Sequence, residues 1–384
     1  MPRDDGASDH RALAILHPAF ALTGVLHAIG GPLMPSLAAS FHLHDKQSGL
    51  LFFLYFAGTS LGAVFCRGNY ARNLFLAFVG SAVCCFGVAW ASPPLLPPLF
   101  LLLGISVGDA MSAVSLYSGR NFPERCAPIL TALNFTWSIG AFAAPVLAAQ
   151  VLTRASYRMV YTILAAASAL AALYCGVLLR DGPGLLRQQK ASQNRANVGL
   201  ILGFAVAAFL QVGIENTAAA WLSTYALRMT GAGVALAAAA SSFYWVGFLG
   251  SRGLSSFVLL RLKPKLVFRL AVAVGFVAGI ALAVAASAFG REIAMLLLGA
   301  ALAPIYPLVI AGSFASIRQT ADSRWVLATA GFGGSVLPWL AGWISSSAGG
   351  MRAGMLTIPA AILLMAIVML VMSKGPGSRN HEAT

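Results

Sequence analysis

The chain has 384 residues, of which 59% are apolar and 9% charged, with a formal net charge of +14 and a mean hydropathy of +0.82. So few charges cannot cover the surface of a soluble protein of this length, which places the chain in a membrane. The positive charge does not signal nucleic acid, because the basic residues sit in short loops between apolar stretches and form no basic, aromatic-interleaved face. Cys66, Cys84, Cys85, Cys126 and Cys175 fall mostly within those stretches or in loops assigned to the cytoplasm, so free thiols are expected and no disulfide framework. Residues 1–12 are polar and the apolar stretch after them is too long for a signal-peptide core, so the first span is expected to stay in the mature protein.

Taken in order, apolar segments fall at about 13–39, 47–66, 73–91, 95–118, 128–152, 158–179, 197–226, 234–251, 266–289, 292–312, 324–345 and 353–373. These twelve segments predict an all-α integral membrane protein. The first carries His17 near its start and His27 at its centre, with Thr23 one turn before His27 and Gly30-Gly31-Pro32 just after. The glycines and proline predict a bend that turns backbone groups toward a cavity. His27 has the chemistry of a proton carrier or solute ligand, and equally of a buried neutral histidine with one hydrogen-bond partner.

The fourth segment holds Gly104-Ile-Ser-Val-Gly-Asp-Ala-Met-Ser112, with Ser106, Asp109 and Ser112 on one helix face and Gly104 and Gly108 on a neighbouring face that invites a close helix contact. Of eleven acidic residues only Asp109 and Glu215 lie deep in a span. A carboxylate there is costly unless it meets water, a partner or a solute, and a carboxylate in low dielectric is suited to taking up and releasing a proton. The other reading for each is a structural partner to a polar side chain on a neighbouring helix. The fifth segment places Asn134, Trp137 and Ser138 at helical spacing ahead of Pro145.

The most polar interior stretch, Arg180 to Asn197, carries Arg187, Lys190 and Arg195 and divides the spans six and six. The expected domains are a first half over 1–180, a basic linker over 181–196, a second half over 197–374 and a tail over 375–384. In the seventh segment Gln211 and Glu215 are i, i+4 neighbours with Asn216 beside them, an amide–carboxylate–amide set suited to a hydroxylated solute. Trp221 and Tyr225 follow, as stacking platforms for a sugar ring or as interfacial anchors. The eighth segment carries Tyr244 and Trp245, the tenth a proline-flanked kink at Ala303-Pro-Ile-Tyr-Pro307 that displays Tyr306, and the eleventh Trp339 after Pro338. These aromatics either touch solute or pack. With the N-terminus cytoplasmic, nineteen basic residues face that side, Arg252 among them, against six on the other, so both termini are expected inside at the inner membrane.

The loop Gly62-Ala-Val-Phe-Cys-Arg-Gly-Asn-Tyr-Ala-Arg72 resembles the signature loop of the major facilitator superfamily, Gly-x-x-x-Asp-Arg-x-x-Gly-Arg-Arg, with Gly62 and Arg67 matching and Cys66 where the acidic residue stands. The resemblance implies twelve helices in two six-helix halves around a central cavity, with Gly62, Arg67 and Arg72 forming a conformational latch. The bare reading of the same loop is a basic segment that fixes topology. Phe20-Ala-Leu-Thr-Gly24 running into Pro32-Leu-Met-Pro35, Leu133-Asn134-Phe135, Gly213-Ile-Glu215 and the Ala-Pro-Ile-Tyr-Pro segment are similar to the fucose–proton symporter branch. That branch implies proton-driven sugar uptake, with Asp109 matching its acidic residue in span 4 and Gly31 standing where it has a second one.

No phosphate loop, metal cluster or nucleophile–base set occurs, so an ATP-driven pump and an enzyme are not expected, nor is any cofactor. An acid–base pair of His27 with either deep carboxylate is the enzymatic alternative, and a channel lacks a re-entrant filter segment. The expectation is a monomeric carrier in membrane lipid that moves protons with a small-molecule solute, a sugar or similar. Asp109, Glu215 and His27 are the coupling candidates. His27, Asn134, Trp137, Gln211, Glu215, Asn216, Tyr244, Trp245, Tyr306 and Trp339 are the solute candidates. The rival is a proton-antiporting exporter of lipophilic or cationic compounds.

Overall fold

In hydrocarbon every backbone N–H and C=O has to be satisfied within the protein, and a helix does this inside one segment. The structure, a computed structural model, describes residues 5–66, 69–122, 126–178, 198–317, 323–347 and 349–374, and all regular structure among them is helical. The expected linker and tail, 181–196 and 375–384, lie outside the described residues, as does Arg67.

The helices are α1 (Asp5–Ala28), α2 (Gly30–Phe41), α3 (Asp45–Phe65), α4 (Tyr70–Trp90), α5 (Leu96–Asn121), α6 (Cys126–Leu152), α7 (Tyr157–Leu178) and α8 (Val198–Thr230). They continue as α9 (Val234–Ala240), α10 (Ser242–Arg261), α11 (Pro264–Val284), α12 (Ala288–Leu302), α13 (Ile305–Ile317), α14 (Ser323–Ser347), α15 (Met351–Met355) and α16 (Thr357–Lys374). Ten spans are apolar and long enough to cross a bilayer, and the broken pair α1–α2 is an eleventh. The more polar α14, 25 residues long, lies along α8 and α3 in the same bundle. Helices α1–α7 pack chiefly on one another, α3 on α5, α4 on α7 and α1 on α6; α8–α16 do likewise, α14 on α8 and α10 on α12. The two groups meet where α14 lies along α3, α2 along α8, and α6 along α9 and α10. The outer surface is apolar, with Val83, Leu173, Val277 and Val371 exposed as lipid contact demands.

The eighth span does not stop at residue 251. Helix α10 runs on to Arg261 and carries Arg252 within it, because the charged side chain finds partners inside the bundle instead of ending the helix. The Gly104/Gly108 pair makes the close approach its spacing predicts. A Cβ at Gly104 would stand 2.0 Å from Tyr55 O, and one at Gly108 2.0 Å from Thr59 O, so α3 and α5 touch backbone to backbone.

Three helix breaks fall at prolines and glycines, and each is met by a side-chain donor from another helix. At Gly30-Gly31-Pro32 the chain bends by 43° between α1 and α2, and Tyr55 Oη donates to Leu26 O at 3.0 Å. Between α12 and α13, Gln211 Nε2 donates to Leu302 O at 3.1 Å. Within α14, Pro338 has no N–H for Gly334 O, and Asn216 Nδ2 approaches that oxygen at 3.4 Å while Trp221 Nε1 donates to Pro338 O at 2.8 Å.

One end of the bundle is closed across the two groups. Asp45, the first residue of α3, forms a bidentate pair with Arg228 in the last turn of α8 and accepts a bond from Ser345 on α14. Beneath this pair Gly31 of α2 lies against α8, where a Cβ would come within 1.9 Å of Ala219 O. Gly49 of α3 faces the Trp339 backbone of α14 in the same way. Asp45 and Arg228, at the ends of α3 and α8, are therefore the polar clasp of the closure.

Two outcomes follow from these contacts. Gly104→Ala should lower the melting temperature in detergent through overpacking of about 1–3 kcal/mol. Gly250→Ala, where a Cβ meets nothing within 4 Å, should leave it unchanged or raise it through helix propensity. Asp45→Ala or Arg228→Ala should widen the distance between spin labels on exposed Ala39 and Thr230, measured by double electron–electron resonance, and the charge-swapped Asp45→Arg/Arg228→Asp should restore it in part.

Candidate functional site

A helix that packs mainly through alanine and glycine stands out wherever it buries polar groups, and α8 buries several in a row. Gln211 is fully buried on it and donates from Nε2 to Glu215 Oε1 at 2.9 Å while holding the α12–α13 break. One residue on, Asn216 turns toward α14 and α1, its Oδ1 3.4 Å from His27 Nε2. Glu215 is thus tied to the tenth span through Gln211, and His27 to the eleventh through Asn216.

From His27 an aromatic belt crosses between the two groups of helices. The His27 ring lies 5.4 Å from Phe56 and 5.3 Å from Trp137, and Trp137 lies 6.2 Å from Trp245. Trp245 packs edge-on to Tyr244 at 5.2 Å and to Phe248 at 5.5 Å. The belt ends at Arg252, whose guanidinium sits 4.6 Å over the Phe248 ring and whose Nη1 donates to Ser138 Oγ at 3.1 Å. Ser138 belongs to α6 and Arg252 to α10, so this bond joins the two groups at mid-depth. Arg252, Tyr244 and Tyr306 all lie within electrostatic range of Glu215.

Several buried polar atoms in the belt have no hydrogen-bond partner among the described residues: His27 Nδ1, Trp137 Nε1, Gln211 Oε1 and Tyr244 Oη. Buried polar groups are normally paired, and a cluster of unpaired donors and acceptors among aromatic faces is a place where a ligand completes the bonding. Donors, an acceptor and flat apolar faces together suit a molecule with hydroxyls on one side and C–H groups on the other. A cavity of about 20 Å³, the room of one water, lies beside His27 between Tyr55, Phe56 and Phe100.

The structure gathers His27, Trp137, Gln211, Glu215, Asn216, Tyr244, Trp245 and Tyr306 around this belt. The remaining predicted residues sit elsewhere. Asp109 lies on the α3–α5 seam beside the Cys66 thiol, with its Oδ1 unpartnered among the described residues. Asn134 is exposed and donates to Leu130 O of its own helix at 2.8 Å. Trp339 pairs with Phe53 at 6.5 Å along the α3–α14 contact. Of the latch residues, Gly62 is buried against Ile105 of α5, and the Arg72 backbone N–H donates to Asn69 Oδ1 at the start of α4. Trp221 and Tyr225 are fully buried and bonded to Pro338 O and Leu282 O, which makes them packing residues. Sequence reasoning missed Phe56, Phe248 and Arg252 as members of the belt. Their signal was present only for Phe248 and Arg252, which follow Tyr244 and Trp245 on the same helix at i, i+4 and i, i+8 spacing.

Membrane-length helices in two groups, broken helices at mid-depth and a polar cluster between the groups are the features of a membrane carrier. A sequence profile of the Major Facilitator Superfamily matches residues 16–323, and the chain belongs to that family. It is 23% identical over 350 residues to the glucose/mannose transporter GlcP of Bacillus subtilis (strain 168), covering 84% of this chain and 85% of that protein. Its fold is similar to a bacterial homologue of the human lysosomal transporter Spinster in an inward-facing, occupied conformation, with TM-score 0.78 at 16% identity over 94% and 96% of the two chains. It is also similar to the D-xylose–proton symporter, with TM-score 0.77 at 16% identity over 96% and 98%. The transporter FucP in its outward conformation gives TM-score 0.59 at 18% identity over 95% and 99%. The protein is thus a multi-pass major facilitator transporter, similar to transporters of sugars.

Proposed function

We propose that the protein takes up a sugar or similar small polar solute together with protons, by alternating access between halves comprising residues 1–180 and 197–374. The observation that carries this reading is the set of unpaired polar atoms on His27, Trp137, Gln211 and Tyr244 within an aromatic belt. A sugar presents hydroxyls to such atoms and its C–H face to Trp137 and Trp245. GlcP, a glucose/mannose transporter by name, supports the solute class, and the D-xylose–proton symporter supports the coupling.

Glu215 is the proposed coupling group, because it is the carboxylate that borders the belt and because Gln211 fixes it beside the site. His27 assists as ligand and second proton acceptor. Asp109, set against Cys66, is the weaker candidate and holds the α3–α5 seam in this reading. In this reading, which the distribution of basic residues supports, both termini are cytoplasmic and the chain works as a monomer in the inner membrane. The end closed by Asp45 and Arg228 then faces outward. Gly62, Arg67 and Arg72 form the inner latch in this scheme, with Asp109 near the place of the missing loop carboxylate.

Reconstituted in liposomes, the protein should give solute-evoked, pH-dependent currents with glucose, mannose, xylose or fucose. Moving one charge against 100 mV is worth about 2.3 kcal/mol, enough for roughly 50-fold accumulation. Glu215→Gln should abolish the current while leaving solute-induced quenching of tryptophan fluorescence. Trp137→Phe/Trp245→Phe should remove that quenching, and Asp109→Asn should retain at least a tenth of the current. Silence across these sugars, with lipophilic cations driving proton efflux instead, would replace uptake by export.

A further inference from the structure

Arg252 is the one guanidinium the described structure holds at mid-depth between the two groups of helices, and transport as proposed gives it no part. Its surroundings are specific. Nη1 donates to Ser138 Oγ of α6 at 3.1 Å, and Ser138 is itself fully buried, its hydroxyl donating to Asn134 O at 3.0 Å, so the serine oxygen is turned to accept. The plane of the guanidinium lies over Phe248, 4.6 Å from its centre. Among the described residues the groups acting on its charge are Glu215 of α8, Tyr244 of α10 and Tyr306 of α13.

Glu215 supplies the only negative charge in that set, yet the two do not touch. The one ion pair among the described residues is Arg228–Asp45 at the closed end. Arg252 therefore stands between two acceptors: a neutral hydroxyl on the first group of helices, which it holds, and a carboxylate on the second, which attracts it from a distance. Among the described residues the carboxylate in turn is engaged by the Gln211 amide.

We propose that Arg252 is a coupling residue that exchanges between Ser138 and Glu215 according to whether the Glu215 carboxylate is neutral or charged. The inference rests on the reading of Glu215 as the proton-exchanging group. With Glu215 protonated, the serine is the better available acceptor, and the bond ties α10 to α6 across the interface. With Glu215 ionised and unoccupied, the guanidinium pairs with it, and the bond between the groups is lost. Occupancy at one carboxylate becomes a difference in contact between the moving bodies, which is what coupling requires. Tyr244, Tyr306 and His27 are the other titratable side chains of the belt.

The test is a pH titration from 5 to 9 of the distance between spin labels on Ile139 of α6 and Leu254 of α10, both exposed, in full-length protein with its native cysteines replaced. Wild type should shift from a narrow, short distribution at acid pH to a longer one at alkaline pH. Glu215→Gln should remain in the short distribution throughout, which also separates Glu215 from His27. Ser138→Ala and Arg252→Gln should both lose the pH response. Arg252→Lys, which keeps the charge, should retain part of it. A pH response that persists in Ser138→Ala and Arg252→Gln, or that is absent from wild type, overturns the proposal.

In liposomes Arg252→Gln should lose at least tenfold more in gradient-driven accumulation than in solute binding. Equal loss of both makes Arg252 merely structural and overturns the proposal. The label experiment needs no solute. If the labels respond as described and no sugar is transported, the Arg252 exchange stands and the solute class falls. If sugar currents depend on Glu215 while the labels do not respond, the exchange falls and the function stands.

Discussion

The bundle is organised by the need to satisfy backbone carbonyls where its helices break. A carbonyl released by a proline or a bend has no water to turn to in hydrocarbon, so a side-chain donor from another helix must reach it. Tyr55, Gln211 and Asn216 do this at the first, tenth and eleventh spans. Each of these donors is fixed by what it repairs, and each also borders the polar belt. The breaks and the site are thus one arrangement: the amide of Gln211 that caps Leu302 O is the same amide that orients Glu215.

Charge obeys a related constraint. Buried ionised groups need compensation, and the chain places its interior charges with economy. Glu215 and Arg252 face each other across the second group of helices while Arg252 reaches the first group through Ser138. Asp45 and Arg228 meet at one rim, where Arg228 remains 42% exposed. The rim pair, open to water, supplies register more than strength. The mid-depth charges, unpaired with each other and screened from water, are where a change of one proton has its largest electrostatic effect.

Much of this was legible in the chain itself, for physical reasons. Membrane spans are written in composition, so ten spans and the bent α1–α2 pair follow from apolar length. The bend after His27 and the kink at residues 303–307 follow from glycine and proline, which act locally. Gln211 and Glu215 meet because i, i+4 spacing guarantees it. What was hidden depends on contacts between distant segments. Asp45 and Arg228 lie 183 residues apart, and nothing local distinguishes them from loop charges. Arg252 follows Gly250 and Ser251, a sequence with the look of a turn, and only the Ser138 contact shows why helix α10 carries a charge through the membrane. Asp109 reads as a cavity group by depth alone, and the fold turns it toward Cys66 on the α3–α5 seam.

The closed end has a kinetic meaning. Gly31 against Ala219 and Gly49 against Trp339 are contacts of main chain with main chain. Such surfaces exclude water well, yet their Cα–H···O contacts are worth only about 0.5–1 kcal/mol each. The ring contacts of Phe52 with Trp221 and Phe53 with Trp339 part with them. A seal built from close main-chain contact therefore excludes water without binding its two faces strongly, and the ring contacts and the Asp45–Arg228 clasp must part together for that face to open.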